Sequence, residues 1–484
     1  MMELSFLIVV AFAIYGSCLH GESQFDDITQ IQNNPLILEG KWKEALFDNA
    51  VGWRNRLRSL FYGWRSIVRA TFALNVAIWG PSTFSIHATS VMLHALNGFV
   101  QYHIFMALGF DRVSSLLSAT LLIGHPLAVS SVAYMSSRGG VLSALFSNCA
   151  ILMVVSGLNP VFALPVAVLA FMAKEDAAVT PLALTLIGAI QGLTAWWLPL
   201  PFMVAILWKR RKGIRDLVRN NGNAGMTKVG FRSQFEQPWY SITAFTETAV
   251  RFPQWVLGNA LNFDPKVERP SAHRIALAVG IAVAIGAGFI LGGPLVKIGL
   301  ILTVCTPPLV YLVAQMPDPI MEYRFYSALT GIGVGTAWLF SVLPGIFVFI
   351  AIVWFWTLAA FRAFDWSSSL ALWRGVIRDG TNSERAWINL GAAYMVRQQH
   401  KDARECFHKV LEINPGIGPA WANLGQIEAA YQNWDKAIEY YSASTKHNPA
   451  FAASWHALAE IYQRLNKPDL AAATMRGMQS AVKG

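Results

Sequence analysis

Four places in this sequence hold residue types that can do chemistry at short spacing. The first is Phe25-Asp26-Asp27, followed by Asn33-Asn34-Pro35. Two adjacent carboxylates can divide labour. One takes the proton from an attacking hydroxyl, and the other holds a divalent cation or orients a sugar. The same pair can instead cap a helix start, with Thr29 and Gln30 following. The second place is His87, His94 and Asn97, spaced 7 and 3 apart and therefore on one helical face. His125 and Arg138 flank the next apolar segment. Ionisable groups in apolar segments are costly and face a cavity or each other; the plain alternative is hydrogen bonding between helices. No HxxxH or HxxE pairing accompanies them, so the metal content stays undetermined. The third place is Lys174-Glu175-Asp176, which can also be a charged turn. The fourth is Glu322-Tyr323-Arg324-Phe325-Tyr326, which can also be an aromatic belt with an anchoring Arg.

The elements that must position these groups are apolar. The 484 residues are 54% hydrophobic and 14% charged, where a soluble domain carries roughly 25% charged residues. A mean hydropathy of +0.41 points the same way. Apolar runs cover 4–19, 84–107, 113–133, 140–158, 160–173, 177–192, 195–207, 273–292, 295–315, 326–343 and 345–363. They predict an all-α membrane bundle of about eleven spans. Pro160, Pro165, Pro181, Pro199 and Pro201 predict kinked or re-entrant helices in the shorter runs. The first run carries Glu3 and no Lys or Arg ahead of it, so it reads as an uncleaved first helix. The loops 20–83 and 208–272 are basic and aromatic; 53–67 has the spacing of an amphipathic helix lying in the membrane interface. The net charge of +10 then reflects loops near lipid phosphates. No nucleic-acid motif is present. The cysteines, Cys18, Cys149, Cys305 and Cys406, have no CxxC and no zinc spacing.

From 366 onward the composition is that of soluble helices, and a repeat is visible. Trp387, Trp421 and Trp455 are 34 residues apart, the tetratricopeptide period. Units near 386–419, 420–453 and 454–484 carry Leu390-Gly391, Leu424-Gly425 and Leu458-Ala459 at matching places. The domain division predicted is 1–365 for the membrane part and 366–484 for the repeats. Eleven spans would put the long loops and the repeats on one face of the membrane.

In order along nearly the whole chain, these pieces resemble the transmembrane and tetratricopeptide-repeat-containing O-mannosyltransferases and their bacterial relatives, of the lipid-donor GT-C class. The pieces are FDDITQIQNNP, the Arg69 helix VRATFALNVAIWG, FSIHATSVMLHALNG, GHPLAVSSVAYMSSRGGVLSALF, AFMAKEDAAVTPLAL, MEYRFYSALTGIGV and then the repeats. The resemblance implies a GT-C-like bundle with its pocket at the outer membrane face. It implies loops and repeats in the lumen or periplasm. The lack of a long luminal insertion points to a bacterial inner membrane.

It also implies a reaction: one sugar passes from a polyprenyl-phosphate donor to an acceptor hydroxyl. Asp26 or Asp27 would be the general base. Arg138, Lys174 and Arg324 would offset charge on the departing phosphate, and His125 would hydrogen-bond it. Glu175, Glu322, Tyr326 and Arg69 would support them. The repeats would recruit the acceptor protein. The sequence also departs from the family. Its HPxHxE is replaced by His125-Pro126-Leu127-Ala128-Val129-Ser130, and the Glu-Arg pair by Glu322-Tyr323 with the arginine at Arg324. These departures favour the rival reading, a catalytically degenerate scaffold whose repeats dock partner subunits.

Overall fold

A computed structural model of the chain describes residues 1–24, 27–47, 65–201, 203–204, 240–258, 271–304 and 322–483. All regular elements among these residues are helical. Phe25, Asp26, the amphipathic stretch before Arg65 and most of the loop 208–272 lie outside the described residues. The chain divides into two units, Met1–Ser368 and Ser369–Gly484.

The first unit is a helical bundle. Its main helices are α1 (Met2–Tyr15), α2 (Ser66–Trp79), α3 (Thr83–Ala107), α4 (Arg112–Ile123), α5 (Pro126–Ala133), α6 (Arg138–Val155), α7 (Pro160–Ala173) and α8 (Thr180–Ile190). After these come α9 (Tyr240–Val256), α10 (Ala272–Leu291), α11 (Pro294–Val304), α12 (Leu329–Val342) and α13 (Gly345–Asp365). The first helix is part of this bundle. Leu7, Val10, Ala11, Ile14 and Tyr15 form one buried face of α1, which packs on α3 and α13. The segment after α1 folds back as short helices, Pro35–Leu38 and Trp42–Phe47. Ile31, Ile37 and Ala45 there share a core with Val68, Phe72 and Val76 of α2 and with Met135, Leu142 and Ala173. That core seats the Asp27 loop against the start of α6.

The structure corrects the span count. Among the described residues, four helices are long and apolar enough to cross a membrane: Met135–Val155, Ala272–Leu291, Arg324–Val342 and Gly345–Asp365. A fifth is gained if α4 and α5, bent by 57° at their break, count as one. The physical reason is local. Pro126 breaks the run 113–133 into two helices, and the helices Pro160–Ala173 and Pro294–Val304 are, at 14 and 11 residues, too short to cross alone. The helix α3 has 25 residues, long enough to cross, but its stripe of His, Ser, Asn and Gln lowers its apolarity. With four or five such helices, the parity that placed loops and repeats on one face loses its basis. The apolar window of Ala272–Leu291 is 6% buried and that of Met135–Val155 is 72% buried, so the first is a peripheral helix and the second a central one.

The second unit starts with α14 (Ser369–Arg378) and continues in three helix pairs. These are α15 (Glu384–Val396) with α16 (His400–Ile413), α17 (Gly418–Ala430) with α18 (Trp434–His447), and α19 (Ala452–Arg464) with α20 (Pro468–Lys483). The 34-residue period is repeated in the geometry. Each turn inside a pair uses a left-handed residue, Gln398, Gln432 and Asn466, with φ of 57°, 59° and 56°. The next N–H closes each turn onto the carbonyl of Tyr394, Glu428 or Tyr462, at 3.0, 2.9 and 2.8 Å. Trp421 and Trp455 donate to the carbonyls of Pro415 and Pro449. A Cβ on Gly391 would stand 2.6 Å from the Phe407 ring, and one on Gly425 would stand 3.0 Å from Tyr441. The bare glycines therefore set how closely the first two pairs approach. Cys406 is buried among these helices, 4% exposed, and burial pushes its thiol up to about 12, with Asp402 and Glu405 adding to the shift.

Two outcomes follow for the repeat unit. Gly391→Ala destabilises it by about 1–3 kcal/mol through overpacking, and adding Phe407→Leu recovers part of the loss. Proteolysis of the unit over a temperature series measures both. At pH 8 a raised pKa leaves little thiolate, so alkylation of Cys406 in the folded chain is slower by on the order of 100-fold than in urea. Equal rates in the two conditions would contradict its burial.

Candidate functional site

Asp27 is 1% exposed and its carboxylate is fully engaged. One oxygen accepts from the Ser136 N–H at 2.7 Å and the Ser136 hydroxyl at 2.5 Å. The other accepts from the Gln24 N–H at 3.0 Å. The residue thus ties its own loop to the turn Met135–Ser137 that starts α6.

Arg138, two residues past Ser136, is fully buried and points between α2 and α3. Its Nε donates to Ser90 Oγ at 3.2 Å. Its Nη2 donates to Asn75 Oδ1 at 3.1 Å and to the Ile86 carbonyl at 2.7 Å. The guanidinium lies 4.0 Å over the Phe72 ring. All these partners are neutral. Arg69 is half-buried on α2.

A separate cavity of about 40 Å³ opens where α6, the 174–180 turn and the start of α12 meet. Lys174, Asp176, Arg324 and Tyr326 line it. The backbone at Lys174 turns extended, with φ −158° and ψ 140°, and ends α7 there. Its ammonium pairs with Asp176 at 2.8 Å. The charges of Arg324 and Arg65 also bear on Lys174. Glu175 stands half-buried at the start of the 3-10 turn Glu175–Val179. The third and fourth sequence clusters are therefore one place in space. Arg138 and Asp27 are not among its lining residues.

Tyr326 is fixed by a hydrogen-bond chain along one face of α3. His94 Nε2 faces the Ile123 carbonyl at 3.0 Å, which can only accept, so the ring proton sits on Nε2. His94 Nδ1 then accepts from the Tyr326 hydroxyl at 2.5 Å. That hydroxyl accepts from Asn97 Nδ2 at 3.1 Å. Asn97 Oδ1 accepts from Asn148 at 2.7 Å. Asn148 Oδ1 accepts from Thr330 at 2.8 Å, and Thr330 accepts from Gln101 at 3.0 Å. The spacing of His94 and Asn97 signalled a shared face. Nothing in the sequence signalled Asn148 or Thr330 as partners.

Two predicted site residues have structural employment. His125 caps α5: its Nδ1 accepts from the Leu127 N–H at 3.2 Å. Its Nε2 donates to the Val256 carbonyl at 3.1 Å, and the ring stacks on Phe355. Both nitrogens face backbone groups, where the sequence suggested a phosphate contact. Glu322 is buried and pairs with Arg362 near the end of α13. Sequence reasoning missed Arg362, 40 residues away. Among the described residues no three of His, Cys, Asp and Glu converge as metal ligands would.

In the second unit, an open cleft of about 430 Å³ is bordered by His400, Lys401, Arg404, Tyr431 and Asn433. Arg404 and Asn433 both reach Glu428, at 2.7 and 2.9 Å.

Comparison with known proteins bears on both units. The tetratricopeptide-repeat family model matches residues 384–416. The carboxy-terminal unit contains a tetratricopeptide repeat. A protein O-mannosyl-transferase of Caenorhabditis elegans is 29% identical over 189 residues, 37% of this chain and 26% of that protein. The match thus spans about a quarter of the relative's length. A crystal structure of MamA is 17% identical and covers 31% of this chain and 75% of its own, with a TM-score of 0.22. A score that low adds nothing to the description of the fold. The long apolar helices among the described residues associate the protein with membranes.

Asp27→Asn turns an accepting oxygen into a donor facing an N–H. It lowers the stability of the membrane unit by about 1–3 kcal/mol, read as a drop in detergent melting temperature. An unchanged melting temperature would show that Asp27 does not anchor the loop.

Proposed function

We propose that the protein is a membrane glycosyltransferase that moves one sugar from a polyprenyl-phosphate donor to an acceptor hydroxyl. The observation that carries this reading is the cavity in which Lys174, Asp176, Arg324 and Tyr326 meet inside an apolar bundle. Buried cations beside a small cavity suit an anionic headgroup whose tail stays in lipid. The curated similarity to an O-mannosyl-transferase supports the same chemistry.

In this mechanism the acceptor oxygen attacks the anomeric carbon from the face opposite the phosphate. The new C–O bond forms as the bond from carbon to the phosphate oxygen breaks, and its electron pair leaves with the polyprenyl phosphate. Lys174 and Arg324 offset that charge. The hydroxyl proton goes to a carboxylate. Asp27 is spent on Gln24 and Ser136, so the base role falls to Asp26, and Asp27 positions the loop that carries it. Arg138 anchors α2 and α3 beside the Asp27 loop, Arg69 supports from α2, and Glu175 and Glu322 support the two turns that carry the cations. The site opens to the periplasmic face of a bacterial inner membrane. The repeats recruit the acceptor protein, with the His400–Asn433 cleft as a contact.

The rival reading, a scaffold with docking repeats, has its own support: Asp27, Arg138 and His125 all make structural hydrogen bonds. Arg324→Gln separates the two. With a polyprenyl phosphate mannose as donor and membrane proteins as acceptors, the transferase loses transfer by about 10²–10³-fold at unchanged protein level. For a scaffold, the glycoprotein profile of Arg324→Gln cells stays unchanged, which would sink the enzyme reading.

A further inference from the structure

The proposed reaction draws on two pieces of chain that are far apart in sequence. The segment 21–27 carries Asp26 and Asp27, and the turn Glu322–Ala328 carries Arg324 and Tyr326. Groups on separate loops lose rate steeply unless their separation is held to about 0.5 Å. Both pieces meet the last turn of α13. Arg362 in that turn pairs with the buried Glu322, the first residue of the turn that carries Arg324. Trp366 follows one helical turn later on the same face, and its N–H donates to the Arg362 carbonyl at 3.4 Å. The Trp366 ring stacks on Tyr134 at 5.5 Å. Tyr134 stands two residues before Ser136, which holds Asp27. The backbone beyond Trp366 holds the other end of the acidic segment: the Glu22 N–H donates to the Ser367 carbonyl at 3.2 Å. Gly21 passes so close that a Cβ there would stand 3.2 Å from the Trp366 carbonyl and 2.9 Å from that of Cys18. A tryptophan that only anchored a span would lie at the lipid interface; Trp366 is 2% exposed. An ion pair, an aromatic stack and a backbone hydrogen bond thus converge on one short stretch at the end of α13.

We propose that residues 362–367 form a strut that sets the distance between the two halves of the site, with Arg362 and Trp366 as positioning residues. Arg362 holds the turn that carries the phosphate-binding cation, and Trp366 holds the segment that carries the base. The proposal rests on the transferase reading and adds which residues keep its two halves in register.

Hydrogen exchange and transfer kinetics of the full chain in detergent test it together. Trp366→Leu speeds amide exchange at 21–24 by about tenfold, the worth of roughly one hydrogen bond. A strut carries the effect through Arg362, so exchange at 322–328 rises as well. Arg362→Gln loosens 322–328 and, by the same route, 21–24. Trp366→Phe keeps a ring on Tyr134 and exchanges as wild type does. With a polyprenyl phosphate mannose as donor, Trp366→Leu lowers kcat by about 10–100-fold and leaves the donor KM within about twofold, because the cations of the cavity are untouched. Trp366→Phe recovers most of that kcat. Arg362→Gln takes a cation from a buried carboxylate; a collapsed melting temperature marks it as unfolded, and the tryptophan variants then carry the test. If each variant loosens only the segment it touches, or Trp366→Leu keeps the wild-type kcat, there is no strut and the transferase reading stands. If wild type transfers no sugar, the transferase reading falls and takes the positioning roles with it.

Discussion

The polar face of α3 is the constraint on which the membrane unit depends. A buried polar group in an apolar bundle must find a partner or cost several kcal/mol. Ser90, His94, Asn97 and Gln101 each find one on another helix. Their partners sit on α6, on the 322–328 turn and α12 that follows it, and at the end of α4. The register of four helices is thereby set by a few directional bonds, where lipid-like packing alone would let them slide. The same bonds place the Tyr326 ring at the cavity and hold Arg138 between α2 and α3.

The two candidate centres follow from that arrangement. Arg138 consumes Ser90, Asn75 and the Ile86 carbonyl, so the first helical face of α3 is closed around it. The Lys174–Arg324 cavity lies farther along, where small residues and hydroxyls leave space. One region is filled and anchors; the other is open and charged. That difference in packing, more than the identity of any one residue, decides which centre can receive a ligand.

The repeats were largely legible in the sequence, because their period is local. Tryptophans 34 apart, glycines beside them and a turn at the same offset all recur within one helix pair. The membrane unit was legible as helical and apolar, and its clusters at 174–176 and 322–326 do meet. The span count was not legible. Hydropathy cannot say whether Pro126 bends a span or ends it, or whether a polar stripe faces lipid or another helix. Roles of single residues were hidden for a related reason. His125 looked like a ligand because its partners, the Leu127 N–H and the Val256 carbonyl, are backbone groups with no sequence signature. Asp27 looked like a free base because Ser136 is 109 residues away. Asp26, the other half of that pair, lies outside the described residues.

The central claim is that the cavity between Lys174 and Arg324 receives a lipid phosphate. The most direct measurement is a cryo-electron microscopy map of the full chain in nanodiscs with a polyprenyl phosphate. The account predicts phosphate density within hydrogen-bonding reach of Lys174 Nζ and the Arg324 guanidinium, with the lipid chain running out toward the bilayer. Polyprenyl phosphate seated at another place, with the cavity closed over by its own side chains, would contradict it.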